Sequence, residues 1–230
     1  MAEVGMYDVQ VKSQQFVTRV YGWMTMGLAV TGLVAAMTVS SPALMSVIFG
    51  NRLVFYGLMI VELIFVFKLS SAVSTLSSGA ASSLFLAYAA LNGLTLSVIF
   101  VVYTSSSIAT TFFVTAGMFG CMAVIGASTA MDLTAIGGLC FMGLIGVILA
   151  SVANIFLHSS TLQWVTTYLG IAVFVGLTAY DAQKIKQMSL MGGDEAGTTD
   201  GRAVYGALSL YLDFINLFLY TLRLMGRRRN

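Results

Sequence analysis

The chain has 230 residues, 58% of them hydrophobic and only 9% charged, with a formal net charge of +2. A soluble domain carries about 25% charged residues, so this composition lacks the polar atoms to cover a water-facing surface. A charge of this size is also too small to argue for nucleic acid as a partner.

The first 19 residues carry Lys12 and Arg19 and no recognisable motif, and they read as an N-terminal tail. The apolar run that follows, Val20 to Val39, is too long for the core of a signal peptide, and more such runs come after it, so it is expected to be an uncleaved first span. Seven helices are predicted, over about 20–39, 54–71, 80–103, 107–128, 136–157, 164–186 and 203–225. Together they make one transmembrane domain over 20–226, ahead of a basic tail at 227–230. Ser41-Pro42 and Gly50-Asn51 break the first connection, Ser77-Ser78-Gly79 the second, and Thr104 to Ser107 the third. The stretch 187–202, QMSLMGGDEAGTTDGR, reads as the one real loop; it lacks the D-x-[DN]-x-[DN]-G pattern with a distal Glu that a calcium loop requires. Irregular backbone cannot face lipid, so the fold class is an all-α membrane bundle.

Small residues within the spans (Gly117, Gly120, Gly137, Gly138, Gly143, Gly146, Gly170 and Gly176) are expected to let helices approach closely. Cys121 and Cys140 fall in apolar runs without CxxC spacing and read as reduced packing residues, not a disulfide or a metal site. Nothing resembles a nucleophile triad, HExxH, a Walker loop or GxGxxG, so no enzyme, resident metal or cofactor is expected.

With seven spans, six basic residues lie on the N-terminal side and five opposite; if the last helix re-enters, the split becomes ten to one. The positive-inside rule is nearly undecided at six to five and decisive only at ten to one; a cytoplasmic N-terminus is expected, and the side of the C-terminus stays open.

No Asp, Glu, Lys or Arg occurs from Leu69 through Met131, which makes the acids inside other spans conspicuous. An aspartate at the centre of a membrane helix costs about 2.5–3.5 kcal/mol on insertion scales, so it needs a partner or a use. Asp213 lies in the middle of the last span, and Asp181 ends the apolar run of the one before. Arg202, Gly206, Ser209, Asp213, Asn216, Tyr220, Arg223 and Arg227 recur at steps of four and three, so they form one polar stripe on the last helix. Ser209, Asn216 and Tyr220 are thereby expected to line a path beside Asp213. Two carboxylates within hydrogen-bond reach cannot both ionise easily and share a proton, so Asp181 and Asp213 are the candidate pH-sensing, gating dyad. Glu62, central in the second span, either extends a cation path or is a protonated acid bonded to a neighbour. Lys68 reads as snorkelling to the interface, Asn92 and Asn154 as interhelical hydrogen-bonders, and His158 as interfacial.

The segments GLTAYDAQKIK (176–186) and LSLYLDFINLFLYTLR (208–223) resemble the paired C-terminal motifs of the Bax inhibitor-1 family. RVYGWMTMGL (19–28), VTAGMFG (114–120) and MDLTAIGGLCFMGLIGVILASVANIF (131–156) extend the likeness over essentially the whole chain, closest to bacterial inner-membrane members. The resemblance implies six helices around a C-terminal seventh, and a pH-sensitive calcium leak closed by a proton-sharing pair at Asp181 and Asp213. Calcium is then the permeant ion, meeting the two aspartates in transit with no dedicated metal site. Glu62 falls where some bacterial members carry a glutamate. Those members place an arginine eleven residues later, able to pair with the aspartate equivalent to Asp181; here that position is Val73, so the dyad carries over and the latch does not. Two other functions remain open: modulation of a membrane-bound quality-control protease through residues 1–19, and proton-coupled transport of a small anion.

Overall fold

The computed structural model describes residues 2–71, 77–190 and 196–229, with side chains over 10–70, 77–190 and 201–229. The helices are α1 (Ala2–Val39), α2 (Pro42–Gly50), α3 (Arg52–Ser71), α4 (Ser78–Leu96), α5 (Val98–Val102), α6 (Ser105–Ser128), α7 (Thr134–Leu157), α8 (Ser160–Leu190) and α9 (Ala196–Met225). Among the described residues seven spans are long and apolar enough to cross a membrane, as the hydropathy pattern predicts.

Local chemistry sets where several helices begin. Ser41, Ser77 and Thr104 each turn a hydroxyl to an amide of the following first turn, capping α2, α4 and α6. The expected break at Ser41-Pro42 falls where α1 has ended at Val39 and α2 begins at Pro42. Proline at the first helical position lacks only an N–H that has no partner there anyway. The stretch read as an N-terminal tail is helical from Ala2 and continuous with the first span. The loop expected over 187–202 is shorter than read: α8 runs to Leu190 and α9 starts at Ala196, and 191–195 lie outside the described residues. Helix α9 is uninterrupted through Met225, so it contains no reversal with which the last segment could re-enter.

The chain divides into two compact units. The first comprises Met1–Val102, Ser189–Tyr211 and Arg229. Its core is Val20, Phe85, Ala89, Val204, Leu208 and Tyr211, each no more than 1% exposed. Tyr211 and Thr31 share a 2.7 Å hydrogen bond between hydroxyls, and Thr31 reaches the Ala89 carbonyl at 2.8 Å, so α1, α4 and α9 are tied at one point. The Tyr211 ring meets Phe85 and Tyr88 edge-on at 5.6 and 5.8 Å, the arrangement favoured by the aromatic quadrupole. The ring end of Phe85 occupies the space a side chain at Gly27 would fill.

The second unit comprises Tyr103–Met188, Leu212–Arg228 and Asn230. Here glycines bring α6, α7 and α9 onto α8. A Cβ at Gly126 would overlap the Ala179 carbonyl, one at Gly137 the Tyr180 ring, one at Gly170 the Tyr220 ring, and one at Gly176 the Cys140 sulfur. Of the glycines predicted to serve close approach, Gly137, Gly143, Gly170 and Gly176 do so, whereas Gly117, Gly120, Gly138 and Gly146 have open space beside them. Cys140 packs, as predicted, but Cys121 is exposed. At the far end of this unit Thr104 donates to the Arg227 carbonyl at 3.0 Å, and the Arg227 amide donates to Ser107 Oγ at 2.8 Å.

Burial is uneven among the spans. Two-thirds of the most apolar stretch of the last span is buried (67%), against 6% for α3 and α7. The latter two expose Leu53, Phe67, Leu139, Phe141, Leu149 and Phe156, apolar arcs suited to acyl chains. The most buried span is therefore the one that carries Asp213.

Candidate gating site

Asp213 is 4% exposed, and its Oδ2 has no hydrogen-bond partner. Asp181 of α8 lies near enough for the two charges to act on each other. Asp181 is half-buried, with the Lys184 ammonium one turn further along exerting an attractive field. Ala179 and Ala182, on either side of it, are buried against neighbouring helices.

The backbone around Asp181 is held by a residue that sequence reasoning passed over. Gln183 donates from Nε2 to the Met131 carbonyl at 2.7 Å and accepts at Oε1 from the Leu133 amide at 2.9 Å. Lys186 Nζ donates to the Ala127 carbonyl at 2.6 Å, on the orphaned end of α6. Together they fasten the α6–α7 turn to α8 within five residues of Asp181. Exposed Asp132 stands in that turn, and hydrogen bonds from the Thr134 hydroxyl and amide hold its carboxyl below the usual carboxylate range.

The polar stripe of α9 is real but divided. Arg202, Gly206 and Ser209 belong to the first unit, and Asp213, Asn216, Tyr220, Arg223 and Arg227 to the second. Ser209, Asn216 and Tyr220 are half-buried, on the least covered edge of the helix; Asp213 sits on the buried flank of the stripe. Asn216 turns its amide to the Leu212 carbonyl of its own helix at 2.8 Å. Tyr220 lies on Gly170, stacks on Phe174 at 6.0 Å, bonds Ser151 and receives the Arg223 guanidinium over its ring at 5.5 Å. It is thus a packing residue of the α8–α9 contact, beyond the lining role expected of it.

Glu62 belongs to the first unit, half-buried, where it accepts a 2.8 Å hydrogen bond from Thr95 Oγ1. Asp181 and Asp213 share the second unit. Val73 lies outside the described residues. Asn92 and Asn154 are not interhelical as expected: Asn92 donates to Tyr88 one turn back, and Asn154 accepts from the Ser159 amide at the end of α7. His158 is exposed at that same helix end in the left-handed region, φ 48°. Among the described residues no three His, Cys, Asp or Glu side chains gather as metal ligands.

Seven apolar helices with an acid buried in the most enclosed one define an integral membrane protein. The family profile described as "Inhibitor of apoptosis-promoting Bax1" matches residues 13–230. The chain is 50% identical over 221 residues to the inner membrane protein YbhL of Escherichia coli (strain K12), covering 94% of this chain and 93% of that protein. It is 43% identical over 223 residues to a protein of Borreliella burgdorferi, covering 97% and 96% of the two chains. With a Rickettsia prowazekii protein the identity is 40% over 222 residues, covering 94% and 91%. The chain belongs to the Bax inhibitor-1 family.

Proposed function

We propose that this protein is a pH-sensitive cation leak of the bacterial inner membrane, with calcium as the permeant ion, Asp181 and Asp213 as the gate and the N-terminus in the cytoplasm. It needs no cofactor and catalyses no covalent step. The observation that carries the reading is the carboxylate oxygen of Asp213, buried in a membrane span without a hydrogen bond and next to a second acid. A buried carboxylate in that position is costly as an anion, so its state of protonation is tied to what surrounds it. Protonating one member removes the repulsion between the pair and lets the helices close on it; losing the proton drives α8 and α9 apart and admits a cation. The E. coli relative is named as an inner membrane protein, which supports the same location here.

The test is calcium flux into liposomes holding the purified protein, measured across pH. Flux is expected to change steeply with pH near neutrality in the native protein and to lose that dependence in Asp213→Asn, which leaves nothing to share the proton. An unchanged titration in Asp213→Asn assigns the sensing elsewhere.

A further inference from the structure

In the second unit Asp213 is not alone in lacking a partner. The hydroxyls of Thr111 and Thr115 on α6 and of Thr221 on α9 are also buried without a hydrogen bond. Threonine within a helix normally gives its hydroxyl to the carbonyl one turn back, as Thr166, Thr167 and Thr178 do in this same unit. The three exceptions are 0%, 0% and 3% exposed, and a buried hydroxyl left unpaired is costly. Buried polar groups of this kind are ordinarily satisfied by water.

The orphaned groups fall in order of depth. The start of α6 and the end of α9 are tied together by the bonds of Thr104 and Ser107 with Arg227. From there the two helices run inward side by side, Phe112 and Phe119 meeting Phe214 at 5.4 and 5.5 Å. At the helical rise, Thr221 lies about 6 Å in from Met225, Thr111 about 9 Å in from Ser105, Thr115 about 15 Å and Asp213 about 18 Å. A cavity of about 200 Å³ opens at that end, lined by Ser106, Ser107, Thr110, Thr111, Met225 and Arg227. Thr111 therefore both lines the cavity and belongs to the series of unpartnered groups.

We propose that Thr111, Thr115 and Thr221 hold a file of water molecules joining this cavity to Asp213, and that the file delivers protons and not divalent cations. A hydroxyl both donates and accepts, so it can sit in a chain along which each water receives one proton and passes one on. The proton enters as hydronium at the cavity and ends on Asp213 Oδ2; each water along the file gains one O–H bond and gives up another, and the hydronium is left as neutral water. Calcium takes six to eight oxygens, carboxylates among them; the cavity's lining offers no carboxylate, and the positive charge of Arg227 in that lining repels a divalent cation. Among the described residues, Asp181 on α8 and Cys140 on α7 act electrostatically with Asp213; Arg223 and Arg227 lie further toward the mouth on α9 itself, and α6 presents the Thr111 and Thr115 hydroxyls.

The inference rests on Asp213 being the titrating group of the gate, and its test is separable from the leak. Full-length protein in lipid nanodiscs is transferred to D2O, and the infrared band of the protonated carboxyl, identified by its loss in Asp213→Asn, is followed as it exchanges. Thr115→Val and Thr111→Val are each expected to slow the exchange at least tenfold, and Thr115→Ser, which keeps the hydroxyl, to restore it. Equal exchange rates in the native protein and in Thr115→Val would overturn the file. Slowed exchange in a protein that passes no calcium into liposomes would retain the file and reject the leak.

Discussion

Gly126 of α6 and Ala179 of α8 meet backbone to backbone, with the Ala179 carbonyl occupying the place of a side chain on the glycine. The contact stands two residues before Asp181 and fixes how closely that turn of α8 approaches α6. Because the obstructing atom is backbone, it cannot swing aside. Gly126→Ala is therefore expected to destabilise the protein by about 1–3 kcal/mol, the usual cost of overpacking. Gly117→Ala, with open space around it, is expected to change stability by less than about 0.5 kcal/mol. Thermal unfolding of both variants in one detergent checks the pair; equal effects would mean the helices separate freely at Gly126.

Asp132 supplies a control for the pH response. Hydrogen bonds to its ionised form hold its titration below the ordinary carboxylate range, so it remains charged through neutrality and protonates only in more acidic solution. Replacing it by asparagine removes a charge that does not change across the gating range. Asp132→Asn is expected to leave the pH midpoint of calcium flux where it is in the native protein. Loss of the pH dependence in Asp132→Asn would place the sensor in the α6–α7 turn.

Cysteine scanning reads the stripe on α9 directly. Ser209, Asn216 and Tyr220 are half-buried, whereas Leu210, Phe214 and Phe218 are 0%, 3% and 6% exposed. In a chain freed of Cys121 and Cys140, cysteines at 209, 216 and 220 are expected to react with small water-soluble thiol reagents faster than those at 210, 214 and 218. A cysteine at 213 is expected to react slowly, in keeping with its place on the buried flank. Equal labelling of the two sets would remove the polar stripe from contact with water.

Tyr211 separates a hydrogen bond from packing. Tyr211→Phe loses the bond to Thr31 while keeping the ring against Phe85 and Tyr88, an expected cost of about 1 kcal/mol. Tyr211→Ala empties a fully buried site and is expected to cost about 3–5 kcal/mol. Unfolding midpoints in detergent give both values, and similar losses in the two would mean that the hydroxyl, not the ring, holds α1, α4 and α9 together.

Hydropathy made the spans legible, because a stretch such as 136–157 has no other stable environment than lipid. The two aspartates were legible for the complementary reason, since an acid inside such a stretch carries a cost visible without a structure. Pro42 marks the break between α1 and α2 because a proline is well placed at the first position of a new helix, whereas half of the marked glycines face open space. Composition alone marks 187–202 as a loop, while α8 extends to Leu190 and α9 begins at Ala196. Gln183, Thr111, Thr115 and Thr221 left no mark in the sequence. Whether a threonine hydroxyl turns to its own helix or away from it depends on the neighbouring helix, which periodicity along one chain cannot report.

The C-terminal residues are sewn to the turn that starts α6, through Thr104, Ser107 and Arg227. A fluorescent or enzymatic reporter fused after Asn230 will therefore report the compartment of residues 103–107 as well as that of the tail. One such fusion would settle two questions of orientation together: whether the last helix finishes on the far side from the first, and from which compartment the cavity beside Arg227 draws its protons.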